Sequence, residues 1–521
     1  MADQKDTDED GDRTGAQAAG AAAAPGDRDD YRAPRGARTM LRSTARGATL
    51  TYEAAADWIV LRKDEKPTAE VFYVRYFLQG GGGEGGDHSD NRPLTFVFNG
   101  GPGASSVYLH FGAVGPRRVA FQDRGIPPAA PDVLVDNDET WLQFTDLVFI
   151  DPVGTGFSRM IPEKKKPTEK PAPGEGKKEV EYWGLKRDLE SIGEFARKFL
   201  SRFHRWDSAV YIAGESYGGF RVAKLARMLQ EKYGVGLAGA ILISPALEFT
   251  LLDGSDYDTM MWLDTFPTMA GAAAFHGRAR KLQDGEDIRA YARRAGQFAL
   301  TELLPVLAAG DLGGVEKKNE VLDTAADFIG LPRELVRAKN GRVRIEWFVK
   351  NLLRDRGLHL GLYDASMTVK DPYPDRDEWT GPDPTLHMAE RVFASAANTQ
   401  IRRSIGLDTD RDYDLLSDEV NQNWKVDTRK HALDSQVGAT DDLRYGMSLN
   451  PGMRVYLTHG VYDLVTPFFA ADRISNLMKL DEDRRKMLTV KHHLGGHMFY
   501  TWPESRRELF EDIRGLYGSA G

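Results

Sequence analysis

The stretch SAVYIAGESYGGF, residues 208–220, runs from an apolar segment into a serine set between glycines and then into a helical pattern. Ala209–Ala213 is short, apolar and partly β-branched, the composition of a strand buried on both faces. From Phe220 to Lys232, Leu, Phe and Ala recur at helical spacing. Strand, sharp turn and helix in that order push the Ser216 hydroxyl out of the backbone as a nucleophile, and Gly214 with Gly218 or Gly219 leaves room for the turn. The alternative is a serine that only caps the following helix.

Working outward, five more apolar runs end in Gly, Pro, Asn or Asp clusters: LTFVFNGGPG (94–103), TDLVFIDPVG (145–154), AGAILISPA (238–246), MRVYLTHG (453–460) and MLTVKHHLGG (487–496). Helical patterns such as Trp183–Phe203 lie between them. This alternation implies an α/β fold, a mostly parallel central sheet with helices on both faces, whose ligands sit at the carboxyl ends of the strands. Upstream, ATLTYEAAADWIVLR (48–62) and AEVFYVRYFLQ (69–79) read as paired strands. GGGGEGG (80–86) is a flexible loop, because the Lys-Ser/Thr and helix needed to cradle a phosphate do not follow it. Residues 162–181, rich in Lys, Glu and Pro, read as an exposed loop.

From 251 to 450 the chain shows helical patterns without clear strands, so a helical lid is expected between a first core segment, 46–250, and a last one, 451–521. Residues 1–45 read as a disordered tail, its first twelve residues holding six acidic side chains against one lysine. At 521 residues, 41% hydrophobic and 28% charged, the chain has the makings of a full core. A net charge of −9 argues against nucleic acid or an anionic membrane as partner and leaves a peptide or small acyl substrate. With no cysteine, disulfides, thiolate chemistry and Cys-based zinc sites are excluded. No signal-like or membrane-spanning stretch is visible, and a cytoplasmic location is expected.

A serine hydroxyl near neutrality needs a base, and the base needs an orienting carboxylate. On a sheet of this type they follow in the order serine, acid, histidine. Asp463, after the run 453–460, and His497, after the run 487–496, satisfy that order. His492 and His493 fall within a strand-like run and Asp472 within a helix-like one, so they are the poorer candidates. Donors for a developing oxyanion are expected from the backbone after Asn99-Gly100-Gly101 and from the N–H of Tyr217. The mechanism needs no metal and no organic cofactor.

With these blocks in place the sequence resembles the serine carboxypeptidases, peptidase family S10, and their acyltransferase relatives. NGGPGASS (99–106), GPRRV (115–119), DPVGTGFS (151–158), GESYGG (214–219), GVYDLVTP (460–467) and GGHM (495–498) carry the resemblance in the family's order. It implies an α/β-hydrolase with Ser216 as nucleophile, His497 as base, Asp463 as its orienting acid, and Gly101 and Tyr217 as the oxyanion hole. It also implies that Asn99, Gly100 and Glu215 meet the terminal carboxylate of a peptide. The chain departs from the pattern at Val97, where tryptophan is common, and at Ala104, where cysteine is usual. Ala113 replaces a glutamate that normally pairs with the residue at Glu215. Burial can still raise the Glu215 carboxyl, but if it ionises normally it repels a terminal carboxylate, and a weakened preference for free C-termini is expected. Removal of C-terminal residues through an acyl-enzyme is the implied activity. An esterase or acyltransferase acting on a small metabolite is the alternative, and a non-catalytic binding protein of the same fold the remaining one.

Overall fold

A computed structural model describes residues 31–79, 92–129, 134–161, 181–252, 254–378, 381, 383–426 and 437–518. Each of the apolar runs is a strand. β1 (Ala37–Ala45), β2 (Ala48–Lys63) and β3 (Lys66–Leu78) form an antiparallel meander, and β3 pairs antiparallel with β5 (Asp146–Ile150). From there the sheet is parallel: β5, β4 (Leu94–Phe98), β6 (Val210–Glu215), β7 (Leu237–Ile243), β8 (Arg454–Gly460) and β9 (Leu488–His493). β4, β5 and β6 are buried along their whole length, as continuous apolar strands between two layers must be. β9 closes the sheet as a partly exposed edge and carries polar residues accordingly.

One apolar layer covers each face. On one side α1 (Leu185–Arg202), α2 (Tyr217–Tyr233) and α7 (Thr440–Leu449) bury Phe195, Phe199, Leu225, Leu443 and Met447. On the other, α8 (Pro503–Gly518) and α6 (Pro384–Asn398) bury Phe510, Ile513, Val392 and Phe393. The register aligns the strand ends: Phe98 sits opposite Gly214, Glu215 opposite Ile243, and Ile243 opposite Thr458. The loops bearing Asn99, Ser216 and Asp463 therefore leave the sheet side by side.

Two expectations need correcting. The tail boundary at residue 45 cuts through the sheet, because Ala37–Ala45 pairs along its length with β2 and buries Ser43 and Ala45. Residues 1–30, with the loops 80–86 and 162–180, lie outside the described residues. The segment 251–450 is not a uniform helical lid. Its first half, including α3 (Met260–Phe275), α4 (Ile288–Phe298) and α5 (Val315–Ile329), builds a core of its own against Val461, Tyr462 and Trp502. It holds a small antiparallel pair, Leu358–Leu360 with Thr368–Lys370. Its second half supplies α6 and α7 to the sheet's own two layers, and α7 packs so closely that a Cβ at Gly446 would lie 2.6 Å from the Ala226 backbone.

Deleting residues 1–45 removes β1 and leaves the long edge of β2 unpaired. The expected result is a thermal midpoint several degrees lower and a greater tendency to aggregate, read by calorimetry and light scattering. An unchanged midpoint would show that β1 contributes nothing to the sheet.

Candidate active site

Ser216 ends β6 and opens α2 with φ 61° and ψ −126°, a backbone conformation that non-glycine residues seldom adopt. Its side chain makes no capping hydrogen bond to the helix, so the hydroxyl is not spent on the cap alternative. The turn is closed by Gly219 N–H donating to Ser216 O at 2.9 Å and by Ser216 N–H donating to Ile243 O at 3.0 Å. A Cβ at Gly214 would lie 2.3 Å from Gly218 O, so the sharp reversal tolerates no side chain there.

The turn after β4 is pressed against this elbow. A Cβ at Gly100 would stand 2.5 Å from Tyr217 N and 2.6 Å from Gly218 N, which brings the Asn99–Gly101 backbone directly beside the nucleophile. The N–H groups of Gly101 and Tyr217 donate to no acceptor among the described residues. They are the pair proposed as oxyanion donors. The DPVGTGFS motif supports the same turn from behind: Asp151 Oδ1 accepts from Ser106 N–H at 2.9 Å, and burial pushes this carboxyl up to about 7.

Asp463 and His497 are brought together. His497 Nδ1 lies 2.7 Å from Asp463 Oδ2, and both side chains are buried. Asp463 also accepts from the N–H groups of Val465 and Thr466, at 2.9 and 3.0 Å, and from the Thr466 hydroxyl at 2.7 Å. Burial pulls the His497 imidazole down, but the charge and hydrogen bond of Asp463, helped by Glu215, outweigh it and hold it above its usual value. Tyr363 fixes the ring from outside, edge-on at 5.3 Å, and its carbonyl accepts from His497 N–H at 2.6 Å. The turn Ser244–Ala246 links the two halves of the site: the Ser244 hydroxyl donates to His497 O at 2.9 Å, and Ala246 N–H donates to Ser216 O at 3.3 Å. No hydrogen bond joins the Ser216 hydroxyl to His497 among the described residues, a contact that commonly tightens only around a substrate.

The poorer candidates are occupied elsewhere. His492 Nε2 meets Asp472 at 3.0 Å, and His493 Nδ1 meets Glu508 at 3.0 Å.

Glu215 lies beneath the nucleophile, 2% exposed. Asn99 Nδ2 donates to its Oε2, and the Tyr500 hydroxyl lies 2.8 Å from Oε1 and 3.0 Å from Oε2. Burial pushes this carboxyl up to about 7, against the opposing pull of His497, Tyr500 and Asn99. The condition of normal ionisation, on which the weakened preference for free C-termini rests, is therefore not met. The partners of Glu215 are neutral donors, and none of them cancels the desolvation. Ala113 stands in a short π-helical segment, His110–Val114, against which the Tyr500 ring packs; a Cβ at Gly112 would lie 2.4 Å from Tyr500 Cε2. Tyr500, Thr466 and Tyr363 were not singled out from sequence. Only Thr466, inside the matched block 460–467, stood where a motif could have flagged it.

Residues 51–247 match the family model described as serine carboxypeptidase. Over that stretch the chain is similar to the serine carboxypeptidases. Serine carboxypeptidase-like 36 of Arabidopsis thaliana is 30% identical over 176 residues, which are 33% of this chain and 32% of that protein. The pheromone-processing carboxypeptidase KEX1 of Metarhizium robertsii is 32% identical over 149 residues, 28% of this chain and 20% of its own. The chain thus spans less than a third of the length of either relative. Among solved structures, the proline iminopeptidase of Mycobacterium smegmatis aligns over 89% of this chain at a TM-score of 0.35 and 14% identity, too distant to bear on the reading. Asp463 and His497 lie beyond the family match, and the hydrogen bonds through Ser244 and Ala246 tie them to the elbow.

Asp463→Asn keeps the shape of the pair and removes the charge. A protonated His497 cannot act as a base, so the acid limb of kcat/KM in the parent is expected above the usual imidazole value. In the variant it moves to lower pH, and the plateau falls about 10⁴-fold. An unmoved limb would mean that another group controls the base.

Proposed function

We propose that the chain is a serine-type carboxypeptidase, removing C-terminal residues from peptides through an acyl-enzyme. The observation that carries this reading is a buried Asp463–His497 pair tied through the turn Ser244–Ala246 to a strained, uncapped Ser216 at the carboxyl end of the sheet. Ser216 Oγ attacks the carbonyl carbon while His497 Nε2 takes its proton. Asp463 holds the Nδ1–H and stabilises the imidazolium. The oxyanion accepts from the N–H groups of Gly101 and Tyr217, preorganised by the close packing of the two turns. His497 then protonates the leaving amine as the C–N bond breaks, and a water deprotonated by His497 releases the acyl group from Ser216.

Glu215 supplies the preference for a free C-terminus. In its protonated form it donates a hydrogen bond to a terminal carboxylate; ionised, it repels one. With its carboxyl pushed up to about 7, the favourable form persists through mildly acidic pH and is lost as pH rises past that value. Peptide amides and esters, which carry no terminal charge, escape this loss.

A fluorophosphonate is expected to label Ser216 alone. The Ser158 and Ser244 hydroxyls are committed to backbone carbonyls, at 2.6 Å on Asp151 and 2.9 Å on His497. Ser216→Ala should abolish turnover with no loss of folding; labelling at another serine would end the reading. The substrate class is tested by comparing a blocked dipeptide with its C-terminal amide across the titration of Glu215. The acid-to-amide ratio of kcat/KM should fall above about pH 7 and flatten in Glu215→Gln. A ratio that does not depend on pH in the parent would assign the carboxylate contact elsewhere.

A further inference from the structure

Arg221 lies in the first turns of α2 with its side chain 2% exposed, and no step of the chemistry above uses it. A buried guanidinium is costly to desolvate, and a buried ion pair is weak evidence for stability. Its contacts point to a different purpose. Nε and one terminal nitrogen grip Asp188 of α1, at 2.8 and 3.1 Å, in a two-pronged pair. The other terminal nitrogen donates to the Asn99 carbonyl at 2.6 Å. The guanidinium carbon also lies 4.5 Å from the centre of the Tyr217 ring, and the Tyr217 hydroxyl donates to Asp188 Oδ2 at 2.7 Å.

We infer that Arg221, held by Asp188, is a positioning residue that sets the separation of the two oxyanion donors. One arm fixes Asn99, two residues before Gly101, and the remainder fixes Tyr217, whose own N–H is the other donor. Asn99 has little freedom left: its Oδ1 accepts from Leu109 N–H at 3.0 Å, its Nδ2 serves Glu215 and its carbonyl serves Arg221. On the far side of the same turn, Ser417 N–H donates to Gly103 O at 2.8 Å and Asn421 Nδ2 to Pro102 O at 3.0 Å. The Gly101 N–H is thereby clamped from both directions, and an error of about 1 Å in such placement costs about 10²-fold in rate.

The inference rests on the acyl-enzyme reading and is tested apart from it. Arg221→Lys keeps the charge and removes the fork; Tyr217→Phe cuts the link to Asp188 and leaves Arg221 in place. Each is compared with the parent for thermal midpoint, kcat, KM, affinity for a peptide boronic acid that forms a tetrahedral anion on Ser216, and affinity for the cleaved peptide product. The expected result for Arg221→Lys is a fall of about 10²-fold in kcat with KM and product affinity unchanged, and a matching loss of boronic acid affinity. Tyr217→Phe should show the same pattern in smaller measure. Folded variants with a lowered midpoint but parental kcat and boronic acid affinity would reduce Arg221 to a structural ion pair and overturn the inference. If Arg221→Lys fails to fold, the Tyr217→Phe result decides on the same criteria. Failure of the parent to take a fluorophosphonate on Ser216 would instead overturn the acyl-enzyme reading, and the inference with it.

Discussion

Two backbones that must touch govern this site. The turns leaving β4 and β6 approach until Gly100 lies against Tyr217 N, and every other feature of the centre is arranged around that contact. It requires strands in the register Phe98 opposite Gly214, so that both turns leave the sheet at one level. A side chain at residue 100 or 214 would hold the turns apart and separate the Gly101 and Tyr217 N–H groups. The same closeness explains why Ser216 accepts a positive φ. The strain is offset by the hydrogen bonds that close the elbow on both sides and by the helix that begins there.

The three buried acids around the elbow meet different fates, and the donors around each decide which. Asp463 receives two backbone N–H groups, a threonine hydroxyl and an imidazole, so its hydrogen-bonding capacity is met without water. Asp188 is paired with a guanidinium and holds it in turn. Glu215 has only an amide and a phenol, and burial prevails, raising it to about 7. The site thus sets a fully hydrogen-bonded carboxyl behind the base and a titratable one beneath the nucleophile. That division suits a fixed orienting role for the first and a proton-dependent binding role for the second.

How far the sequence discloses this depends on whether a residue's role is local. Strands buried on both faces advertise themselves by composition, and β4 to β8 were legible for that reason. β1 was not: ARTMLRSTA places only Ala, Thr, Leu, Ser and Ala on its inward side, a pattern too small and polar to distinguish from a disordered tail. Ser216, Asp463 and His497 stand in glycine-bearing turns whose chemistry shows in a short window. Tyr500 reaches Glu215 across 285 positions and Arg221 reaches Asn99 across 122, and nothing near either residue announces the partner. The absence of a carboxylate at Ala113 was visible in the sequence. That a phenol from the far end of the chain meets Glu215, beside a glycine that leaves room for its ring, was not.

The long insertion shows the same limit in its sharpest form. Its stretch 414–421 meets the catalytic turns through the main chain. Gly156 N–H donates to Asp414 O at 2.7 Å, Ser105 N–H to Leu415 O at 3.0 Å and Ser417 N–H to Gly103 O at 2.8 Å. Backbone pairing of this kind leaves almost no mark on side-chain identity, so no motif betrays it. Its consequence is mechanical: the insertion buttresses the oxyanion turn as well as bordering the cleft through Tyr363. Apart from Asn421, whose amide holds Pro102, side chains along it are then free to change the shape of the substrate site, because its other hydrogen bonds to this turn are made by its main chain.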